Sequence, residues 1–270
     1  MSQPPANLDA YLARPSPVQP YLRRLLARRA APVLFDVGSC EGEDAIRYGR
    51  LFPRARIIAF EPLPANQELI RANFSAYGAA NAELVPCALS DRPGPAAFHV
   101  SAGRPAELFS GENWNYGNKS SSLLPPAAAA PMHGFLTFPE RITVACETLD
   151  RFCAARGLAA VDFVHLDVQG AEGLVLAGAT AMLPKIRAIW LEVANEELYR
   201  GQKLRPEIEM QMRAAGFTLA HEDNRGSEGD QLYVNGRFLR NRYCLLRWRT
   251  ARLVRRLTTR GPRRHPAPPP

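Results

Sequence analysis

The chain's strongest constraint on folding is a run of apolar segments that do not alternate inside with outside. They span Val33 to Val37, Arg56 to Phe60, Ala82 to Cys87, Asp162 to Val168 and Ile186 to Val193. Helical periodicity fills the intervals near 43–52, 65–76, 171–182 and 204–215. Apolar strands of this kind are buried on both faces, and helices between them supply the crossovers that parallel strands need. An α/β fold with a mostly parallel, Rossmann-like sheet and helices on both faces is therefore expected. The stretch FTLAHEDNRGSEGDQLYVN has no room for a crossover helix, so the last strand should run antiparallel.

Around this framework, residues 1–30 form a Pro-rich lead and a short basic helix, YLRRLLARR. The first 20 are expected to be poorly ordered. Residues 31–236 make the main domain, and 237–270 an Arg-rich tail, partly helical and then disordered. Between 90 and 147 the alternation lapses, and an irregular insert is expected at about 100–140, either a lid or an unstructured loop. Within it, Trp114 and Tyr116 could stack on a sugar face or simply pack the lid, and His133 is a weaker candidate.

No run of 18 apolar residues occurs, so no spanning helix is expected. The N-terminus lacks the basic-then-apolar order of a signal peptide. Five scattered cysteines contain no C-x-x-C pair and are taken as free thiols in a reducing compartment, with the cytoplasm as default. The net charge of +8 belongs to the end of the chain: eleven arginines and no acid follow Asp230, which leaves the first 230 residues at −3. The tail is compatible with a solvated helix, with peripheral contact to an anionic membrane, or with nucleic acid.

The first strand ends in LFDVGSCEGEDA. Its spacing, Gly38 then Gly42, lacks the third glycine of a dinucleotide fingerprint, and no Gly-Lys-Ser/Thr makes it a P-loop. Two glycines after a strand still allow close approach of a ligand, with Ser39 between them. Asp36 at the mouth would repel pyrophosphate and suit a cation. Glu61, 19 residues after Gly42 and followed by Pro62, ends the second strand and can accept from two ribose hydroxyls. Asp91, in CALSD, could face an adenine amino group. Three acids at successive strand ends describe an adenosine crevice without a phosphate site, and S-adenosyl-L-methionine is the cofactor that fits.

Candidate chemistry lies in DFVHLDVQGAE. Asp167, nearest the strand end, is the first choice for a base or a ligand of a substrate hydroxyl; its alternative is a helix cap. Glu172 is an active-site acid or a partner of the helix dipole. His165 is a base or a hydrogen-bonded core histidine. Glu192, in IWLEV, would face the same crevice. A divalent ion between Asp167 and Glu192 would be chemically reasonable, but two acids on neighbouring strands commonly stand without one, so no metal is expected.

From FDVGSCEG, FEPLPAN, CALSD, SSSLL, ETLDRF, VDFVHLDVQGAEGLVLAGA, IWLEV, ELYRGQ, AAGF and DQLYVN, the chain resembles FkbM-type S-adenosylmethionine-dependent methyltransferases over about 33–235. The resemblance implies a seven-stranded methyltransferase fold and O-methylation of a small molecule, sugar or glycan. His165 stands where lysine is common, which bears on substrate choice, and Ser39-Cys40 replaces the usual Ala-Asn. The rivals are a nucleic-acid methyltransferase clamped by the tail, an inactive methyltransferase-like scaffold at a membrane, and, weakest, an NAD-dependent oxidoreductase. The slightly acidic body and the missing Asn/Asp-Pro-Pro-aromatic motif argue against the first. The acids at 36, 61 and 167 argue against the second. Oligomeric state is not legible.

Overall fold

A computed structural model describes residues 8–104, 116–127, 134–224 and 226–238. Its main sheet contains β1 (Val33–Val37), β2 (Arg56–Phe60), β3 (Ala82–Val85), β7 (Phe163–Leu166), β8 (Ala188–Ala194), β9 (Phe217–Asn224) and β10 (Glu228–Asn235). Their spatial order is β3-β2-β1-β7-β8-β10-β9, with β10 antiparallel to both neighbours and the first five strands parallel. Strand order reverses between β1 and β7. Clefts for ligands open at such a switch point, beyond the carboxyl ends of the strands.

The central strands β1, β2, β7 and β8 are buried on both sides because successive residues serve opposite layers. Leu34, Ile57 and Phe163 pack beneath α2 (Gln19–Leu25) and α3 (Glu43–Leu51), in a cluster that contains Leu22 and Tyr48. Phe35, Ile58 and Val164 face the other way, toward Phe152 of α5 (Leu149–Ala155), Leu176 of α6 (Glu172–Ala177) and Met212 of α7 (Arg205–Ala214). Local chemistry sets the helix starts. Pro64 opens α4 (Pro64–Ala76), and the Thr148 hydroxyl accepts from the Arg151 amide at the start of α5. Before α7, the Glu207 carboxylate accepts from the Leu204 amide.

Two expectations need correction. Residues 8–20 are not loose: α1 (Asp9–Ala13) follows Leu8, which is buried against Ile46 and Ala79. The insert also holds regular structure. A second sheet, ordered β4-β6-β5, joins β4 (Ala88–Leu89), β5 (Gly94–Ala102) and β6 (Thr137–Glu147). Its sequences, GPAAFHVSA and TFPERITVACE, carry Pro, Ala and charges on mostly exposed positions, so they lack the apolar density that marks the main strands. Trp114, His133, the side chain of Tyr116 and residues 239–270 lie outside the described residues. Among the described residues, no helix is long and apolar enough to cross a membrane.

A polar network ties α1, α3, β1 and β7 together. Tyr11 donates to Asp44 at 2.7 Å, and Arg47 donates to both Asp44 (2.8 Å) and the Tyr11 carbonyl (3.0 Å). His165 Nδ1 lies 3.4 Å from Asp36, 3.7 Å from Asp44 and 3.3 Å from the Tyr48 hydroxyl. Burial opposes charge on His165, but Asp44, Asp36 and Asp167 outweigh it and push its pKa up to about 9. A histidine raised from 6.5 in this way stabilises the fold fully below pH 6.5 and loses that contribution as pH passes 9. The shift corresponds to about 3 kcal/mol. His165→Gln should therefore be clearly less stable than the parent protein at pH 6, and the gap should close by pH 9.5. Urea midpoints at the two pH values check this, and a gap independent of pH would mean that the folded imidazole is neutral.

Candidate active site

A cavity opens at the switch point. Gly38 and Cys40 wall it from the turn after β1, and Glu61 and Pro62 from the end of β2. Cys87, Ala88 and Leu89 form an apolar side, Asn118 and Lys119 reach in from the insert, and Asp167 to Gln169 close the β7 side.

The turn that forms the first wall is shaped by backbone packing. Gly38 and Ser39 amides both donate to the Phe60 carbonyl at 3.0 Å, which locks the turn onto β2. Gly38 has φ +82°, and a Cβ there would overlap the Asp167 carbonyl. Gly42 (φ +81°) is glycine for another reason, since a Cβ would press 2.8 Å from the Phe74 ring. It packs against α4 and does not line the cavity.

Asp36 and Ser39 also stand apart from the expected ligand. The Ser39 hydroxyl donates to Asp36 at 2.6 Å, and the Ala45 amide donates to the same oxygen at 3.1 Å. With His165 beside it, the carboxylate is consumed beneath the turn and is 2% exposed. Burial lifts Asp36 above the usual carboxylate range, against the pull of His165 and Ser39. His165 is thus a half-buried partner of Asp36 and is not among the residues that line the cavity. Asp91 is exposed and accepts from the Ser90 hydroxyl at 3.1 Å. The Ser90 amide bonds to Glu147 in the second sheet, and Asp91 faces a separate groove, so Cys87 to Leu89 occupy the wall expected of it.

Glu61 does face the cavity. Its two oxygens accept from the Cys40 and Leu63 amides, each at 2.9 Å, while burial pushes its pKa up to about 7. Across the switch point, Asp167, Glu172 and Glu192 gather, with ligand oxygens within 4.8 Å of one another, close enough to share a cation. Gln169 meets that crowding differently: its amide donates to Asp167 at 2.7 Å and to Glu192 at 3.2 Å. Glu172 accepts from the Val168 amide at 3.1 Å, and burial with Asp167 nearby pushes it up to about 8. Burial, then Asp167, raises Glu192 as well.

Four contributors escaped the residue-by-residue reading. Gln169 holds φ +54°, a strained backbone of the kind stored at functional sites. Ser122 donates to the Gln169 carbonyl at 2.7 Å, and Tyr199 donates to the Ser120 carbonyl at 2.7 Å, tying the insert to the acids. Lys119 is the fourth. All four lie in or beside quoted motifs (DVQGAE, SSSLL, ELYRGQ), and that proximity was the available signal.

The model of the methyltransferase FkbM domain matches residues 36–219. The 2-O-methyltransferase NoeI of Sinorhizobium fredii (strain NBRC 101917 / NGR234) is 34% identical over 211 residues, 78% of this chain and 82% of that protein. The 31-O-demethyl-FK506 methyltransferase FkbM of Streptomyces tacrolimicus is 28% identical over 226 residues, 79% and 83% of the two chains. Among solved structures, a precorrin-6y C5,15-methyltransferase from Geobacter metallireducens GS-15 aligns at 14% identity with a TM-score of 0.42, covering 81% of this chain and 87% of that one.

The glycine turn can be tested against a glycine with the same strain but open space. Gly38→Ala should cost at least about 2 kcal/mol, backbone strain plus overlap with Asp167, whereas Gly157→Ala (φ +62°, nothing within 4 Å) should cost only about 1 kcal/mol. Denaturant unfolding of both variants measures the difference; equal losses would remove the contact from the account.

Proposed function

The chain belongs to the methyltransferase FkbM domain family, and on that premise we propose how its cavity serves S-adenosylmethionine-dependent methylation of a hydroxyl. When bound, the cofactor supplies an electrophilic methyl group on a sulfonium. Glu61 receives the ribose hydroxyls through the acceptor capacity that remains once its oxygens have accepted from the Cys40 and Leu63 amides and the Asn66 side chain. Pro62 and the Cys87 to Leu89 stretch offer the adenine an apolar wall.

Asp167 takes the proton that the acceptor hydroxyl gives up, and Gln169 fixes its orientation. Glu192 and Glu172, raised by burial, lend further hydrogen-bonding oxygens beside it. A surface of clustered carboxyls suits an acceptor rich in hydroxyl donors: a hydroxylated small molecule, a sugar or a glycan. The observation that carries this reading is that Glu61 and Asp167, from strands on either side of β1, line one cavity at the switch point.

The cytoplasm is the compartment we favour, since Cys40, Cys87, Cys146 and Cys153 stand as free thiols. The arginines after Asp230 supply a route to peripheral contact with an anionic membrane. The −3 charge of the first 230 residues argues against nucleic acid as a partner.

Calorimetric titration should give binding of S-adenosylmethionine and its demethylated product and none of NAD; binding of NAD alone would overturn the reading. Glu61→Ala should lose at least about tenfold in cofactor affinity. Asp167→Asn should keep cofactor affinity yet lose about 10²–10⁴ in turnover on an acceptor found by screening sugars with labelled cofactor. An unchanged rate would remove Asp167 as the base.

A further inference from the structure

Among the described residues that line the cavity, Glu61 and Asp167 are the acids and Lys119 is the only base. The cofactor proposed above ends in an α-amino acid, whose carboxylate needs a cation in a cavity otherwise furnished with acids. Lys119 stands at the right wall. Its ammonium lies 2.6 Å from Glu43 at the start of α3 and 3.5 Å from the Cys40 sulfur, beside the turn that also presents Gly38.

The position is built, not incidental. Lys119 follows a 3₁₀ turn, Tyr116–Asn118, whose Asn118 amide donates to Glu41 at 3.2 Å and to Asn66 at 2.9 Å. Asn118 is 9% exposed, so the turn is bolted between α3 and α4. Glu43 is held in its turn, accepting from the Glu41 amide at 3.0 Å. Burial opposes charge on Lys119, but Cys40, Glu43 and Glu41 outweigh it and keep the pKa above the ordinary lysine range. The ammonium is therefore a fixed cation that faces the cavity.

We propose that Lys119 binds the carboxylate of the cofactor's amino-acid end and so makes the site specific for adenosyl ligands that carry one. This rests on the cofactor reading above and names the residue that discriminates within it.

Two ligands that share the nucleoside and the thioether separate the possibilities: S-adenosylhomocysteine, and 5′-methylthioadenosine, which lacks the amino acid. Both are titrated calorimetrically into the full chain, into Lys119→Met, which keeps an apolar stem, and into Lys119→Arg. The parent protein should prefer S-adenosylhomocysteine. Lys119→Met should lose about ten- to a hundredfold in affinity for it while binding 5′-methylthioadenosine within twofold of the parent, and Lys119→Arg should retain most of the preference. Equal loss for both ligands would make Lys119 only a partner that offsets Glu43, and no loss for either would remove it from the site; each overturns the proposal. If the parent protein bound neither ligand, the cofactor reading would fall with it, whereas a failure confined to Lys119 leaves the parent's binding intact.

Discussion

A carboxylate withdrawn from water must be hydrogen-bonded and paired, and Asp36 meets that demand by organising everything around it. Its partners come from the turn after β1 (Ser39), the first turns of α3 (Ala45) and the middle of β7 (His165). Satisfying one buried acid therefore fixes the spatial relation of a strand, a helix start and the strand across the switch point. The turn so held donates two amides to β2 and a third, from Cys40, to Glu61. The tips of β1, β2 and β7 then converge without any ligand contact being needed to hold them.

The insert completes that convergence from above. Ser122 bonds to the Gln169 carbonyl, Tyr199 to Ser120, and Asn118 to Glu41 and Asn66, so each rung joins the insert to an element that already carries a site residue. A substitution in the insert should thus be felt at the acids, because Gln169 is shared: its carbonyl holds Ser122 while its amide separates Asp167 from Glu192. Low dielectric makes such shared groups costly to leave half-satisfied.

The residues that were legible are those whose signal has one physical cause. β1 and β2 are bounded as the apolar runs predict, since only a strand buried on both faces reads that way. β7 is shorter than Asp162 to Val168, because Asp162 turns to accept from the Val33 amide and Val168 leaves the ladder for the Glu172 carboxylate. An acid at a strand tip has two causes, and the sequence does not separate them. Asp36 and Glu61 look alike in sequence, but Ser39 stands three residues after Asp36, near enough to consume it, whereas Glu61 accepts from two backbone amides and the Asn66 side chain and still lines the cavity. Asp91 lies beside a separate groove because β4, a two-residue strand too short to carry a pattern, routes the chain into the second sheet.

The three acids after β7 and β8 cannot behave as independent carboxylates. Burial disfavours charge on Glu172 and Glu192, and the nearby Asp167 carboxylate disfavours it further, so both are raised above the usual carboxylate range while Asp167 lines the cavity. Gln169 enforces the division by spending its one amide group on both sides of it, which keeps the oxygens close without letting them become equivalent. Lys119 stands beside Cys40 and pairs with Glu43, so the one ammonium among the described lining residues sits at the glycine turn, while Asp167 lines the cavity beside β7. Under the proposed roles of Lys119 and Asp167, a ligand with a cationic centre and an anionic end would be held in one orientation, and orientation is what an in-line displacement requires of the protein.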